Sequence, residues 1–312
     1  MAILPMLRYK TIIKRPKHFH RLTGLTPSEF DQVFDKFLSA WNEYIAPIAS
    51  NPTRQRKYGG GRNAEIETLQ DKLLFILVYV RMYPLLFLQG VMFGIDESNS
   101  CIWVHRLLPL LDKALGFAHM KPKRGHGRTL EELLLEFPEL KELGILGDGV
   151  ERPRRRPKNV ERQKEYYSGK KKRHTMKNII LTNPETNRVL YLSTTQVGSV
   201  HDKKIMDKEE LQTTIQAKMG LDLGFEGLEI ANVGIVLPKK KPKGKELSEL
   251  EKHQNTCFAR RRIRVEHAIS GIKRNRSVQD IYRNIKENTE DLLMTVAIGL
   301  HNLRVANRYA PA

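Results

Sequence analysis

The sequence predicts an α/β protein in which an all-α region precedes a domain with a mixed sheet. Apolar residues recur at helical spacing up to about residue 116. From Leu143 onward they fall instead into short runs bounded by Gly, Pro and Asn, as in strands. An arginine-rich helical segment at 246–275 and an apolar one at 287–307 then close the chain. This change of period predicts two regions, 1–125 and 126–312, with the boundary in the Gly- and Lys-rich stretch after Met120.

The first predicted helix covers residues 26–48. Thr26 is its expected N-cap, Pro27 suits the first helical position, and Glu29 completes a capping box. The segment 50–63, rich in Gly and Arg, follows this helix. Its composition fits either a plain linker or an arm that contacts nucleic acid.

Three more helices are predicted between residues 64 and 116. Pro84 separates the first, 64–82, from a short helix at 85–93. Gly94 then begins a tight turn, and Asp96 or Ser98 caps the third helix. A short helix, a glycine turn and a longer helix are typical of a helix-turn-helix, although an ordinary helical bundle has the same pattern. Arg81 and Pro84 interrupt the longest apolar run, which argues against a membrane span.

The chain is strongly basic. It has 54 Lys and Arg against 35 Asp and Glu, a net charge of +19 and a pI of about 9.9. Such an excess indicates a polyanionic partner, most commonly nucleic acid, although a basic protein without catalytic chemistry is the alternative. Cys101 and Cys257 lie far apart, and His18 and His20 have no ligand partners near them in the sequence. Neither a disulfide framework nor a zinc site is therefore expected, and the chain is predicted to be cytoplasmic.

The second region has a recognisable order of elements. Three strands are followed by a helix, two strands, a long helix and a final helix, which is the order of a ribonuclease-H-like domain. In that order the first and fourth strands are neighbours. The predicted elements are, in chain order, a short helix 129–142, strands at 144–149, 176–182 and 188–196, a helix 201–217, strands at 219–225 and 229–237, and helices at 246–275 and 287–307.

Three carboxylates stand out in these basic surroundings. Asp148 is predicted to end the first strand between two glycines, Asp222 to end the fourth, and Glu266 to lie on the long helix. Phosphodiester cleavage requires charge neutralisation on the attacking and leaving oxygens, which two divalent cations provide, and hard cations prefer carboxylate oxygens. Each acid has an ordinary alternative, since the two aspartates suit turns and the glutamate suits a surface salt bridge.

Charged neighbours extend this prediction. Arg262, Glu266 and Lys273 lie on one face of the long helix, as a metal ligand flanked by phosphate-binding cations would. Asp202 competes with Asp222 for the second ligand position. It begins the helix after the third strand, where its carboxylate is expected to cap backbone N–H groups instead.

Taken in order, these motifs resemble the DDE transposases of bacterial insertion sequences, especially the insertion-sequence-five family and its Harbinger-like relatives. The resemblance covers Leu143 to Asn275 and rests on ILGDGVERPRRRP, YYSGKKKRHTMKNIILT, GSVHDKKI, LDLGFEG and RRRIRVEHAISGIK. The helix-turn-helix segment also resembles that family's N-terminal module. Ala259 departs from the motif, because the family has a tyrosine at this position.

The resemblance implies a transposase that cuts DNA at element ends and transfers the 3′-hydroxyl into target DNA. Asp148, Asp222 and Glu266 would be its catalytic acids and metal ligands, with two Mg²⁺ ions for which Mn²⁺ substitutes. It further implies double-stranded DNA as partner and a homodimer or larger active complex. A transposase-derived DNA-binding protein and a structure-selective nuclease are the alternatives. The predicted DNA contacts lie in the basic segments 152–158, 168–174 and 239–245 and elsewhere, and include Arg106, Arg154, Arg155, Arg156, Lys170, Lys171, Lys172, Arg173, Arg262 and Lys273.

Overall fold

The computed structural model describes residues 6–53, 64–125, 127, 129–284, 286 and 288–309. These form two compact units, the first containing the described residues up to Lys121 together with Arg274–Asp280 and Leu292–Asn307. The second contains Pro122–Lys273 and Ile281–Asp291. The predicted domain boundary after residue 125 is close to Lys121, where the first stretch of the first unit ends. However, the C-terminal segments Arg274–Asp280 and Leu292–Asn307 group with the N-terminal helices. The division into domains 1–125 and 126–312 therefore stays a prediction, and the predicted arm at 50–63 lies largely outside the described residues.

The first unit is helical. Its first long helix has the predicted capping box, in which Glu29 N donates to Thr26 Oγ1 at 3.2 Å and Thr26 N donates to Glu29 Oε2 at 2.7 Å. The helices that lie wholly or mainly in this unit are α1 (Tyr9–Ile12), α2 (Pro16–Thr23), α3 (Pro27–Ala49), α4 (Leu69–Met82), α5 (Leu86–Phe93), α6 (Glu97–Phe117), α12 (Arg276–Gln279) and α13 (Thr289–Tyr309).

Helices α5 and α6 form the predicted helix-turn-helix. Gly94 follows α5 with φ 74°, a left-handed conformation that glycine adopts without steric cost. Asp96 is the N-cap of α6, since its Oδ1 accepts from Asn99 N at 2.8 Å. The buried helix α4 supports this pair, with Phe75 packing edge-on against Phe93. The sequence-based boundaries of these three helices are therefore close to those observed.

The second unit is built on a mixed sheet. Its strands are β1 (Ile145–Pro153), β2 (Tyr167–Ser168), β3 (Arg173–Thr182), β4 (Val189–Leu192), β5 (Gln196–Val197), β6 (Ala217–Gly220) and β7 (Val233–Val236). The order is β2-β3-β1-β6-β7, and β4 and β5 pair with β3. Strand β1 is antiparallel to β3 and parallel to β6. The predicted adjacency of the first and fourth strands is thus confirmed.

Helices cover both faces of this sheet. Val265, Ala268 and Ile272 of α11 (Glu249–Lys273) are buried, and α11 lies on the β1 face that carries Asp148. The opposite face packs on α7 (Thr129–Glu136) and α10 (Asp202–Glu209) through a core that includes Leu133 and Ile205. The remaining helices are α8 (Leu140–Leu143), α9 (Val160–Tyr166) and a 3₁₀ turn, Leu223–Phe225.

Several predicted boundaries were wrong. The helix predicted at 201–217 ends at Glu209, because Glu210 takes a left-handed φ of 48° and Ala217 already begins β6. The first strand continues to Pro153, so Asp148 lies in its middle and not at its end. Short elements such as α9 and β2 were missed, since they are too short to show a hydrophobic period.

Candidate active site

Asp148 is held in β1 between two glycines. Its register partner on β3 is Ile180, and because side chains alternate along a strand it lies on the opposite face from Gly147 and Gly149. Its Oδ1 accepts from the Gly149 N–H at 2.7 Å. The carboxylate is therefore fixed by rigid sheet backbone, as a group that must be positioned for chemistry requires.

Arg262 of α11 is the cationic partner of Asp148. Its Nη2 donates to Asp148 Oδ2 at 3.0 Å, and both side chains are 18% exposed. Burial raises the pKa of Asp148 above its ordinary value, and the charges of Asp222 and Asp202 also raise it. The Arg262 charge and the Gly149 N–H oppose this rise without cancelling it. The site is thus a partly desolvated cluster of acids with one guanidinium against its central member.

Asp222 follows β6, the parallel neighbour of β1. Register pairs Ile145 with Met219 and Leu146 with Gly220, so the chain leaves β6 beside Asp148. Asp222 is the N-cap of the 3₁₀ turn, and its Oδ1 accepts from Gly224 N at 2.8 Å. The structure therefore brings Asp222 close to Asp148, but Asp222 has a capping role that the sequence analysis had assigned to Asp202.

Asp202 does not cap its helix through the expected contact. It is the first residue of α10, and the N-cap is His201, which makes no side-chain capping bond. The Asp202 carboxylate instead pairs with Lys177 of β3, whose Nζ lies 3.1 Å from Oδ1 and donates to the Val200 carbonyl at 2.9 Å. Within the described residues, Asp202 Oδ1 is buried and makes no contact of hydrogen-bond geometry, so the pairing with Lys177 is electrostatic.

Two glycines allow these acids to approach one another. A Cβ built on Gly149 would lie 3.2 Å from Asp202 Cγ and from both its carboxylate oxygens. A Cβ on Gly224 would lie 2.9 Å from Asp222 Oδ1 and 3.2 Å from Asp202 Oδ2. Real Cβ atoms essentially never come as close as 2.9 Å, so position 224 requires glycine, whereas a side chain at 149 would force the Asp202 carboxylate to move by a few tenths of an ångström. Asp202 therefore lies beside Asp222 on the Gly149 face of β1, and it joins the aspartate cluster through its charge, which raises the pKa of Asp148 across the strand.

Glu266 lies four residues after Arg262 on the same side of α11 and is exposed. It is not among the groups with the largest effects on the pKa of Asp148. Over the described ranges, no group of three or more His, Cys, Asp or Glu side chains is arranged to hold a metal ion. The structure thus unites the three aspartates and leaves the predicted third acid, Glu266, outside their immediate contacts.

The chemistry of the aspartate cluster nevertheless fits a hard divalent cation. Its donors are carboxylate oxygens, and backbone N–H groups orient two of the carboxylates, Gly149 N for Asp148 and Gly224 N for Asp222. Positive charge from Arg262 and Lys177 balances two of the carboxylates. Lys177 was not identified from the sequence, where the only available signal was a lysine next to the apolar end of a predicted strand.

The predicted basic segment after Asp148 divides into structural and exposed residues. Arg152 is 2% exposed and donates to Asn178 Oδ1 at 2.8 Å and to the Glu290 carbonyl at 2.9 Å. The prediction that Arg152, as part of the segment 152–158, contacts DNA was therefore wrong. The Arg154 guanidinium stacks on Tyr166, 3.8 Å from the ring centroid. Arg155 and Arg156 are exposed.

A second basic group gathers around Lys273. Burial lowers the pKa of Lys273, and the charges of Lys171 and Arg173 lower it further, while Glu151 raises it. Lys170, Lys171 and Lys172 are exposed in the turn between β2 and β3, and the exposed Arg173 begins β3. The end of α11 and this turn therefore present concentrated positive charge at the end of β1.

Arg106, the remaining predicted contact, lies in the helix-turn-helix. It is exposed on α6, and its guanidinium lies 4.8 Å from the centroid of the Trp103 ring.

The described residues contain no helix long and apolar enough to cross a membrane.

Comparison with known proteins identifies the family. Residues 147–302, half of the 312-residue chain, match the model of the DDE superfamily endonucleases. Residues 66–117 match the helix-turn-helix of the DDE superfamily endonucleases. The chain therefore belongs to the DDE superfamily endonucleases, a class of DNA-acting enzymes that use divalent metal ions.

A relative from Microchaete diplosiphon is described as a probable transposase for insertion sequence element IS702. It is 26% identical to this chain over 290 residues, which cover 93% of this chain and 95% of the relative. No solved structure matches the chain.

Proposed function

We propose that this protein is the transposase of a bacterial insertion sequence, which cuts DNA at element ends and joins the freed 3′-hydroxyl to target DNA. The observation that carries the proposal is the pairing of β1 with β6, which brings Asp148 beside Asp222 within the family match. The order of strands around this pair also supports a ribonuclease-H-like fold. The relative of similar length, described as a transposase, favours transposition over other DNA cleavage.

Asp148, Asp222 and Glu266 are proposed as the catalytic acids that hold two Mg²⁺ ions, for which Mn²⁺ substitutes. These ions, when bound, supply the charge neutralisation that in-line phosphodiester displacement requires. Asp148 fixes the centre of the site from β1, and Gly224 orients Asp222 through its N–H. Glu266 completes the set from α11.

The basic side chains hold DNA around these acids. Arg262 balances the charge of Asp148 in the free protein and binds a DNA phosphate in the complex. Lys273 and the 170–173 turn hold the backbone on one side, and Arg155 and Arg156 extend this surface. The helix-turn-helix selects the element end, and Arg106 is its proposed base or phosphate contact. A homodimer in the cytoplasm is the proposed active form, because two ends must be cut.

The test is cleavage of a duplex that carries the DNA flanking the native gene. Cleavage is expected with Mg²⁺ or Mn²⁺ and not in EDTA, and it should be lost in Asp148→Asn and Glu266→Gln variants that still bind the duplex. Full cleavage in EDTA would exclude the proposed chemistry. Binding of element ends without cleavage under every metal condition would favour a transposase-derived DNA-binding protein instead.

A further inference from the structure

Helix α5, the first helix of the helix-turn-helix, is apolar on all sides. Between Met82 and Ile95, a segment that includes this helix, the sequence contains no Asp, Glu, Lys, Arg or His. A surface helix ordinarily has one apolar stripe and a polar outer side, whereas a helix that is apolar all round is normally buried. The outer side of α5 is therefore expected to be covered by another apolar surface.

The inner side of α5 is fixed within the first unit. Gln89, Gly90 and Phe93 are buried, and Gln89 Nε2 donates to the Phe75 carbonyl at 2.9 Å. A Cβ built on Gly90 would lie 2.4 Å from the Ile95 carbonyl oxygen, so the backbone of the following turn packs directly on the helix at this point. These contacts hold α5 in place, and its outer side cannot turn inward.

The outer side of α5 carries large exposed side chains. Leu85, Phe87, Leu88 and Val91 are between 46% and 63% exposed. At about 100° per residue, Phe87, Leu88 and Val91 occupy about 100° of the helix surface, opposite the buried side. Leu85 precedes them as the N-cap residue. We call these four residues the outer face of α5.

The outer face is large enough for a reversible interface. Its four residues expose roughly 400 Å², an area typical of the largest apolar patch on a protein surface, which is often functional. Pairing of two such faces would remove roughly 800 Å² from water. The half-buried Pro84 and Met92 beside them bring the total close to the roughly 1,000 Å² that a specific interface needs. An interface at this lower limit fits association that is reversible.

Charge favours a second copy of this chain as the partner. The net charge is +19, so two copies repel each other across much of their surfaces, and an uncharged face is where they can approach at least cost. The outer face has no cation with which to bind a DNA phosphate. An uncharged apolar face is also complementary to itself, as an isologous contact about a two-fold axis requires.

We propose that the outer face of α5 binds the outer face of a second copy, so that two helix-turn-helix modules associate before either of them binds DNA. This inference rests on the proposed function for its purpose, because two element ends must be cut in one complex. Since Gly90 packs on the turn that leads into α6, pairing of two α5 helices also fixes the two α6 helices relative to each other.

The test measures self-association of the full chain by sedimentation velocity over a range of protein concentrations, in EDTA and without DNA. The variant is F87Q/L88Q, and the control L135Q/L250Q makes the same kind of change at exposed leucines outside the outer face. We expect a concentration-dependent dimer for the wild-type protein and the control. For F87Q/L88Q the dissociation constant should be at least about tenfold higher. Circular dichroism should show the same helix content in all three proteins.

Cross-linking tests the contact at α5 directly. In a chain with Cys101→Ser and Cys257→Ser, which removes both native thiols, Leu88→Cys should form a disulfide between copies on mild oxidation. A residue in the middle of an isologous contact faces its own counterpart, so the two thiols come within bonding distance. Leu135→Cys in the same background should not form this disulfide.

A monomeric wild-type protein, undiminished association of F87Q/L88Q, equal losses in variant and control, or equal cross-linking at positions 88 and 135 would each overturn the inference. Cleavage of the element end in Mg²⁺ separates it from the proposed function. If the wild-type protein dimerises through α5 but cleaves no element end, the proposed function fails and the inference stands. If it cleaves element ends and never associates, the inference fails and the proposed function stands.

Discussion

Arg262 Nη2 donates to Asp148 Oδ2 at 3.0 Å, and this contact joins the long helix to the central strand of the sheet. The guanidinium reduces a cost that burial imposes, since burial raises the pKa of Asp148 and Arg262 lowers it. The same cation is proposed to bind phosphate once DNA and metal ions reach the acids. On this proposal, Arg262 contacts Asp148 in the free protein and a DNA phosphate in the complex.

The first prediction concerns Arg262→Gln. Loss of the guanidinium should raise the pKa of Asp148 further, because its main opposing charge is removed. An acid whose pKa is higher in the folded chain than in the unfolded chain stabilises the folded state at low pH. This stabilisation is lost as the pH rises through the folded pKa. Because Asp148 is proposed to act as a carboxylate, the pH below which cleavage is lost should be higher in Arg262→Gln than in the wild-type protein. Carboxyl ¹³C NMR without metal, assigned with Asp148→Asn, measures the pKa directly, and an unchanged value would contradict the argument.

The second prediction separates Asp222 from Asp202. Asp222→Asn keeps a capping acceptor for Gly224 N, since Asn and Asp are equivalent N-caps, and should abolish cleavage with little effect on folding. Asp202→Asn removes the partner of Lys177, so it should cost on the order of 1 kcal/mol of stability and leave reduced but measurable cleavage. Urea unfolding and end cleavage test both variants. An active Asp222→Asn enzyme beside a folded, inactive Asp202→Asn enzyme would reverse the assignment.

The third prediction tests whether Arg152 is structural. It is fully buried and donates to Asn178 and Glu290, and Thr195 links this network to Asp291 at 2.6 Å. Arg152→Met should lower the free energy of unfolding by about 3 kcal/mol, because buried acceptors lose their donor. Arg155→Met, an exposed control, should leave stability unchanged and weaken DNA binding. If Arg152→Met leaves the free energy of unfolding unchanged and weakens DNA binding, Arg152 contacts DNA as the sequence predicted.

The fourth prediction is a pH dependence. The pKa of Lys273 is lowered from its ordinary 10.5 by burial and by Lys171. Between the lowered pKa and 10.5 the unfolded chain binds more protons than the folded chain, so stability rises with pH in this window. Below the lowered pKa this residue adds no pH dependence. The rise should be absent in Lys273→Met and smaller in Lys171→Gln, measured by urea unfolding between pH 7 and 10.5; parallel curves for all three proteins would refute it.

The fifth prediction locates end selection in α6. Arg106→Ala should reduce the preference for element ends over random DNA. For non-specific binding, the slope of log affinity against log salt should fall by only about 1, as expected for the loss of one phosphate contact. Full-length protein is required, because Leu292–Asn307 group with the N-terminal helices and Gly299 packs on Leu115. Deletion of residues 1–120 would remove that packing. An Arg106→Ala protein with full end preference would remove this residue from the proposed reading surface.

Part of the site followed from the sequence because it depends on local chemistry and chain order. Asp148 and Asp222 stand at strands that the topology makes neighbours, and the capping box at Thr26 needs only four residues of local sequence. The two glycines around Asp148 are visible in the sequence, but the contact of Gly149 with the Asp202 carboxylate is not.

Other features depended on contacts between residues far apart in the chain, and these only the tertiary structure decided. Arg152 and Arg155 belong to one basic run, but the pleat of β1 buries the first, while the second lies beyond the end of the strand. Asp202 was expected to cap a helix and instead pairs with Lys177 of β3, whereas Asp222 takes the capping role. The sequence by itself determined which residue types and periods are present, because these set helix, strand and charge locally. Burial and ion pairing were decided by packing, because the free energy of a charge depends on the groups that the fold places around it.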